Sequence, residues 1–329
     1  MGDSCYFLMV KFKYSTRFYG VMRKNSGVLA IAALFGLSLL PNENQISNLQ
    51  SALASQKNIE QVASNGDPLE RIVASNIQKQ PDRRKDFDNL YRALASDINN
   101  GRPIVNVTYL GLWIDGKSPE QNLYWGMLYG HFRMFERATK DPHIARNFKH
   151  HNWQRVFLEK RTQDPLRIAV YELTVKPNDA WKSYGVTREF KVYQVFLVYQ
   201  NLQETIRDLA LNINGKMNRK VNLDDSTQID LASDARLMGY FGHNLYFDSP
   251  TTFLDISEIK PDREKGVYFV GCITSRDFAN RVSADGLHKM LFTTSLMAPE
   301  GYNLLALLDS IAQAHDGMQI VEHANNAYR

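Results

Sequence analysis

Two stretches of the sequence decide the fold, LMGYFGHN at residues 237–244 and VYFVGC at residues 267–272. Each is an apolar run, typical of a buried strand, that ends in a glycine followed by a polar residue. The chain between His243 and Cys272 is long enough for a crossover between two parallel strands, which needs about a dozen residues. As parallel neighbours, the strands would bring both side chains to the edge where open α/β sheets bind their ligands.

Outward from these two strands, apolar strands alternate with helices over residues 101–329. Besides the two strand ends, we predict strands at Pro103–Leu110, Val156–Lys160, Arg167–Val175, Val192–Tyr199 and Met290–Thr294. Helices are predicted from Pro119 through Phe135, from Leu202 to Ile213 and from Pro299 to His315. The alternation predicts one α/β domain, residues 101–329, with a mainly parallel sheet and helices on both of its faces.

Two segments precede this domain. Residues 44–100 are predicted to form a helical N-terminal region, because apolar residues recur there at spacings of three and four. Residues 1–43 are interpreted as a signal peptide or signal anchor, since residues 27–40 are uncharged and apolar and follow Arg23 and Lys24. The run is shorter than the about 20 residues of a membrane span. It favours export to the periplasm or the medium, or membrane attachment through residues 27–40. A buried core helix is the alternative, and a cytoplasmic location then stays open.

Charge and cysteine content exclude several classes of protein. The formal net charge of +4 comes from residues 1–24, where five basic residues face one acidic residue, so residues 25–329 are neutral in sum. A nucleic-acid-binding domain needs a basic face on its folded part, and no nucleic-acid partner is expected. Two cysteines, Cys5 and Cys272, are too few for a disulfide framework or a cysteine-rich zinc site. Without an HExxH motif among the histidines, we expect neither a metal nor a cofactor.

A histidine beside the cysteine of the folded part suggests chemistry at the strand ends. An imidazole takes up a thiol proton, or pairs with the thiolate and lowers the pKa of such a thiol. The flanking Gly242 and Gly271 let backbone N–H groups approach a substrate carbonyl closely, as an oxyanion hole requires. Two ordinary interpretations stay open at this point. Cys272 can be a small buried hydrophobe, and His243 can be a hydrogen-bonded surface residue.

The two strand ends, with LFTT at residues 291–294 and MAPEG at residues 297–301, resemble the second half of the caspase-like (clan CD) cysteine peptidase fold. That group includes the bacterial CHAT domains. The resemblance implies that Cys272 is the nucleophile and His243 the proton-transfer partner. It also implies a hydrolase, and a peptidase in particular, that acts on a peptide or protein through a thioester intermediate.

The same resemblance implies an oxyanion hole formed by backbone N–H groups of Gly242, Asn244, Gly271 and Cys272. The sequence departs from the family pattern at two of these positions. Asn244 stands where the group has glycine, although asparagine tolerates the left-handed region better than most residues. Gly271 replaces the usual alanine, which is a small change.

A second resemblance covers most of residues 103–310. NLYWG at residues 122–126, the Gly-His-Asn stretch with Asp248, and LMAPEGY at residues 296–302 resemble an uncharacterised bacterial protein family. This likeness supports the domain limits and the choice of site, but it supplies no activity. Asp248 is a candidate to orient the histidine, and Ser275 and Arg276 are candidates to support the site. Each of these three has an ordinary alternative as a solvated or capping residue.

Two functions compete with the hydrolase. One is a non-catalytic binding module that kept the fold. The other is nucleotide binding, because GLWIDGKS at residues 111–118 formally matches the P-loop pattern. Its bulky Leu-Trp-Ile counts against a phosphate-binding loop, and Pro119 disfavours the helical conformation that Ser118 would need. The oligomeric state is left open by the sequence.

Overall fold

The strands at the centre of the sheet are buried on both faces, which explains their nearly continuous apolar sequences. The computed structural model describes residues 7–8, 87–112, 118–223, 226–244, 259–279, 281–296 and 300–328. Its strands in chain order are β1 Phe7–Leu8, β2 Ile104–Gly111, β3 Gln154–Lys160, β4 Arg167–Val175, β5 Phe190–Tyr199, β6 Lys220–Asn222, β7 Gln228–Asp230, β8 Ala235–Gly242, β9 Lys265–Val270 and β10 Leu287–Thr293.

Seven strands form the main sheet in the order β10-β9-β8-β2-β5-β4-β3, and the two residues of β1 pair with β10 at one edge. All neighbours from β10 to β5 are parallel, while β4 and β3 are added antiparallel. The parallel strands therefore follow the order second-first-third-fourth-fifth along the chain. This is a doubly wound order, whose direction reverses between the first and third strands. Ligands of such sheets bind at the carboxyl ends beside that reversal, here the ends of β2 and β8.

Helices cover both faces of the sheet. In chain order they are α1 Asp88–Asn99, α2 His131–Ala138, α3 Pro142–Ala145, α4 Asp179–Ser183, α5 Leu202–Ile213, α6 Leu231–Asp234, α7 Thr274–Phe278, α8 Gly301–Ala312 and α9 Gly317–Tyr328. Apolar residues of α1, α2, α4, α8 and α9 share one core with one face of the sheet. Apolar residues of α5 and α7, with the β6–β7 hairpin, form a second core on the other face.

The structure confirms the α/β class, the mainly parallel sheet and the helices on both faces. The predicted helical N-terminal region is described only from residue 87 onward. There α1 buries Leu90, Tyr91 and Leu94 in the same core as the sheet. Residues 44–86, and the interpreted signal segment 1–43 apart from Phe7–Leu8, lie outside the described residues. None of the helices in the described part of the chain has the length and apolar character needed to cross a bilayer.

The predicted helix from Pro119 through Phe135 is wrong in its first half. Pro119–Gln121 form a short 3₁₀ turn, residues 122–130 form a series of turns, and only α2 is an α-helix. The Asn122 side chain accepts a hydrogen bond from the Tyr124 N–H at 2.8 Å, which offers the backbone a turn in place of a helix. At Gly126 a side chain would collide with the backbone of Glu120, so this close turn requires glycine.

Candidate active site

His243 and Cys272 lie at the same edge of the sheet. β8 and β9 are parallel neighbours, and Phe241 is paired with Val270. Each candidate residue lies two positions beyond this pair, and neighbouring strands are about 4.8 Å apart. Both residues are partly exposed, and Cys272 forms no disulfide within the described part of the chain. The edge is the carboxyl end of the parallel strands, next to the point where the strand order reverses.

Glycines allow the strand ends to approach one another. A side chain at Gly242 would collide with the carbonyl oxygen of Gly111, and one at Gly271 would collide with the carbonyl oxygen of Gly242. Gly242 also has φ of 153°, a value that L-residues rarely adopt. The backbone turns that follow β2, β8 and β9 are therefore packed against each other. This packing explains why each of these three strands is followed or ended by glycine.

The cysteine sits on a sharp turn between β9 and α7. Ile273, the next residue, has φ of 52° and ψ of 38°, a left-handed conformation that is rare for a β-branched side chain. Its N–H donates to the Ser295 carbonyl at 3.0 Å. Strain of this kind costs about 1–3 kcal/mol and persists only where the surroundings impose it. The turn thus holds Cys272 at the rim at an energetic cost.

Two buried threonines hold this turn in place by hydrogen bonds. The Thr274 hydroxyl donates to the Phe269 carbonyl at 2.6 Å and lies 2.8 Å from the Thr293 hydroxyl. The Thr293 hydroxyl in turn donates to the Gly271 carbonyl and accepts from the Gly271 N–H at 3.4 Å. The Gly271 N–H, one of the predicted oxyanion donors, is thus directed at a threonine hydroxyl. Of the other three predicted donors, Gly242 is the last residue of β8, and Asn244 and Cys272 belong to the turns that follow β8 and β9.

The Asn244 side chain joins the two turns. It is fully buried, and its amide nitrogen donates to the Cys272 carbonyl at 2.6 Å and to the Asp277 carboxylate at 2.7 Å. The sequence assigned Asn244 only a backbone role, so its side-chain contacts were missed. Arg276, predicted as a support residue, pairs with Asp277 at 2.8 Å and keeps an exposed side chain. Ser275 lies in α7 and is partly exposed, and Asp248 lies outside the described residues.

Tyr124 is a second residue of the site that sequence reasoning missed. Its ring lies 5.2 Å from the His243 ring at an interplanar angle of 60°, an edge-to-face contact. The segment that carries it, residues 122–130, is held to the end of β2 by the Asn122 amide, which donates to the Leu112 carbonyl at 3.2 Å. The NLYWG stretch, singled out only by resemblance, was the one signal in the sequence that pointed here.

Buried residues anchor the same segment. Trp125 is buried against Phe132 and Phe196. The carbonyl of Tyr124 accepts hydrogen bonds from both the N–H and the Nδ1 of His131, at 2.9 and 2.7 Å. Burial lowers the pKa of His131 from its ordinary value of 6.5 to about 4, so its imidazole is neutral at physiological pH. The ring that contacts His243 is thus held by a well-packed segment.

The segment that carries Tyr124 is rich in exposed apolar side chains. Among the described residues, the large hydrophobic side chains that are 42–55% exposed are Leu123, Met127, Leu128, Tyr129, Leu296 and Met318. The first four belong to the segment of Tyr124, and Leu296 follows Ser295, which is bonded to the cysteine turn. Clustered apolar exposure commonly marks a binding surface.

The remaining candidates for ligand binding are weaker. Within the described ranges, no group of three or more histidine, cysteine, aspartate or glutamate residues could hold a metal ion. Residues 113–117 of the P-loop-like stretch lie outside the described residues, but Ser118 is extended, with φ of −71° and ψ of 154°, as Pro119 predicts.

A cleft of about 880 Å³ runs along α2, and neither His243 nor Cys272 lines it. Two of the arginines that line it, Arg137 and Arg155, already pair with acidic residues, at 3.1 and 2.8 Å. The cysteine and histidine at the strand ends therefore lie outside this cleft. Comparison of the chain with known protein families, with curated proteins and with solved structures finds no match.

Proposed function

We propose that the protein is a cysteine hydrolase with a caspase-like arrangement, in which Cys272 is the nucleophile and His243 the acid and base. The observation that carries the proposal is the placement of a cysteine and a histidine at equivalent positions beyond the paired ends of two parallel strands. A structural cysteine has no need of a strained turn that holds it at a partly exposed rim.

The chemistry follows the ordinary course of thiol catalysis. His243 takes the Cys272 proton, and the sulfur attacks a carbonyl carbon of the substrate. The resulting oxyanion is stabilised by backbone N–H groups at the rim. The carbon–nitrogen bond then breaks, and the amine leaves with the proton that His243 had taken. The acyl group remains on the Cys272 sulfur as a thioester. A water molecule, deprotonated by His243, hydrolyses the thioester and restores the thiol.

A peptide or protein is the proposed substrate. The segment that carries Tyr124 exposes four uncharged, mainly apolar side chains, Leu123, Met127, Leu128 and Tyr129. An extended peptide would cover several of these side chains at once and remove their apolar surface from water, at about 25 cal/mol per Å². The alternative at the same rim is a non-catalytic module that binds such a peptide and does not cleave it.

Alkylation kinetics test the proposal. A Cys5→Ser background leaves Cys272 as the one thiol, so any labelling by iodoacetamide reports on this residue. A thiol with an ordinary pKa of about 8.5 is only about 3% thiolate near pH 7. An imidazole partner raises the thiolate fraction and should therefore accelerate labelling, so His243→Ala should slow it. We expect a change of roughly tenfold and not the full change in thiolate fraction, because the thiolate of a more acidic thiol is a weaker nucleophile.

Two control variants sharpen this test. Cys272→Ser should abolish labelling, and His151→Ala, in a histidine bonded to the Phe148 carbonyl and far along the chain from the site, should leave the rate unchanged. Slow labelling that does not respond to His243→Ala would reject the hydrolase in favour of the binding module. Cleavage of unfolded protein substrates by the wild type, absent in Cys272→Ser, is the matching test of activity.

A further inference from the structure

The buried side chain of Asn244 crosses the gap between the histidine turn and the cysteine turn. A carboxamide has two N–H groups, and the Asn244 amide nitrogen has two acceptors on the far side, the Cys272 carbonyl at 2.6 Å and the Asp277 carboxylate at 2.7 Å. Asn244 immediately follows His243 in the chain. A side chain bonded in this way ties the position of His243 to that of Cys272.

The carboxylate partner is itself held in place. Arg276 donates to both oxygens of Asp277, at 2.8 and 3.0 Å, in a two-pronged contact. The Asp277 side chain is nearly buried, whereas that of Arg276 is largely exposed. The bond from a buried amide to a carboxylate is charge-assisted and is therefore the stronger part of the link.

The carbonyl partner governs the direction of the reactive side chain. The Cys272 carbonyl belongs to the peptide unit that enters Ile273, the left-handed residue of the turn. Rotation of this peptide unit would change both the backbone at Cys272 and the strained conformation that follows. By holding the carbonyl oxygen, Asn244 stabilises the one orientation of the turn that the threonine contacts also favour.

The geometry points to Asn244 as a positioning residue for the dyad, an inference that rests on the hydrolase function proposed for the same site. Its carboxamide clamps the turn of His243 to the turn of Cys272 and so fixes the two backbone turns relative to each other. The glycine of the caspase-like pattern has no side chain with which to make either bond. The departure from that pattern at this position thus carries a function of its own in this chain.

The test uses the rate of Cys272 alkylation as a function of pH, in the full chain with Cys5→Ser. We expect Asn244→Ala to lower the rate near pH 7 about tenfold and to move the pH of half-maximal rate towards the about 8.5 of an ordinary thiol. Asp277→Ala should have the same direction of effect. Asp277→Asn keeps an oxygen that accepts from Asn244 and should recover most of the rate.

A double-mutant cycle separates positioning from general stability. If Asn244 acts through the dyad, Asn244→Ala should have little further effect in a His243→Ala background. Asn178→Ala is the matched control, because Asn178 also bridges two segments by donating to a backbone carbonyl, that of Gln313 at 2.9 Å, in another part of the fold. It should change thermal stability without changing the pH profile.

Three outcomes are decisive. A folded Asn244→Ala protein with the rate and pH profile of the parent would overturn the clamp while leaving the hydrolase intact. A parent whose labelling is slow and independent of His243 overturns the hydrolase and the clamp together. If Asn244→Ala does not fold, the comparison of Asp277→Ala with Asp277→Asn decides the question, and equal rates in the two would reject the clamp.

Discussion

Replacement of His131 tests how the fold supports the site. The imidazole is buried between Phe196 and Phe241, and its Nδ1 donates to the Tyr124 carbonyl at 2.7 Å. Its Nε2 is buried and has no hydrogen-bond partner among the described residues. Protonation would place a charge on an imidazole that burial has cut off from water, and for this reason the pKa of His131 is lowered to about 4.

The lowered pKa makes the stability of the protein depend on pH. Between the folded pKa of about 4 and the ordinary value of 6.5, the unfolded chain binds a proton at His131 that the folded protein does not bind. The free energy of unfolding therefore falls as the pH falls through this interval. The full difference corresponds to about 3 kcal/mol, of which about 2 kcal/mol is lost between about pH 7.5 and about pH 5.

The variant for this test is His131→Asn, which keeps a short side-chain amide near the position of Nδ1 and removes the titration. Urea unfolding of both proteins at about pH 7.5 and about pH 5 gives the pH dependence of each. The variant will be less stable at the higher pH because the cavity beside Phe196 and Phe241 is not filled. Its stability should nevertheless fall by about 2 kcal/mol less than that of the wild type on acidification.

The difference between the two proteins removes the contribution of the other titrating groups. His143→Asn, at an exposed position, controls for the loss of a histidine as such. Equal losses of stability in wild type and His131→Asn would refute the reasoning. That result would mean that His131 is protonated in the folded protein near pH 5 and that its surroundings are wetter than the structure indicates.

Three further changes have expected outcomes. Gly239→Ala places a methyl group against the backbone and ring of Tyr268 and should lower the free energy of unfolding by about 1–3 kcal/mol in denaturant titration. Leu123→Ser removes an exposed apolar side chain next to Tyr124, whose ring contacts His243, and should slow peptide cleavage while preserving the iodoacetamide rate, whereas Met318→Ser, similarly exposed in α9, should change neither. Asp309→Asn should cost about 3 kcal/mol at neutral pH, because the buried carboxylate accepts three hydrogen bonds and the amide has one acceptor oxygen.

Asp309 is expected to be sensitive to replacement because it is a buried, charged carboxylate. Burial alone would raise the pKa of this carboxyl group, but hydrogen bonds from the His150 side chain and from the backbone N–H groups of His150 and Lys149 lower it below its usual value. The carboxylate is therefore charged in the folded protein at neutral pH, and the stability it contributes is lost as the pH falls through the folded pKa. His150 is thus a partner of a buried carboxylate that ties residues 149–150 to α8.

Local patterns in the sequence determined a large part of the fold. The strands were predictable because buried parallel strands are short apolar runs, and β4 has the predicted bounds of Arg167–Val175. The helix α5 was predictable from its apolar stripe. In contrast, α9 escaped prediction because only Gly317, Ile320 and Ala324 of its residues are buried. The false first half of the helix before His131 had apolar spacing, but an asparagine turn and close glycine contacts override spacing.

For the candidate site, too, the sequence determined one part and the tertiary structure another. The sequence alone predicted a histidine and a cysteine at strand ends, each preceded by glycine, because a strand and its last residues are local features. Only the tertiary structure decided that β8 and β9 are neighbours in the register that puts His243 level with Cys272. It also decided that Tyr124 lies against the histidine ring and that the Asn244 amide reaches the cysteine turn. These contacts join residues that are distant along the chain, so they depend on how helices and strands pack, which no local periodicity encodes.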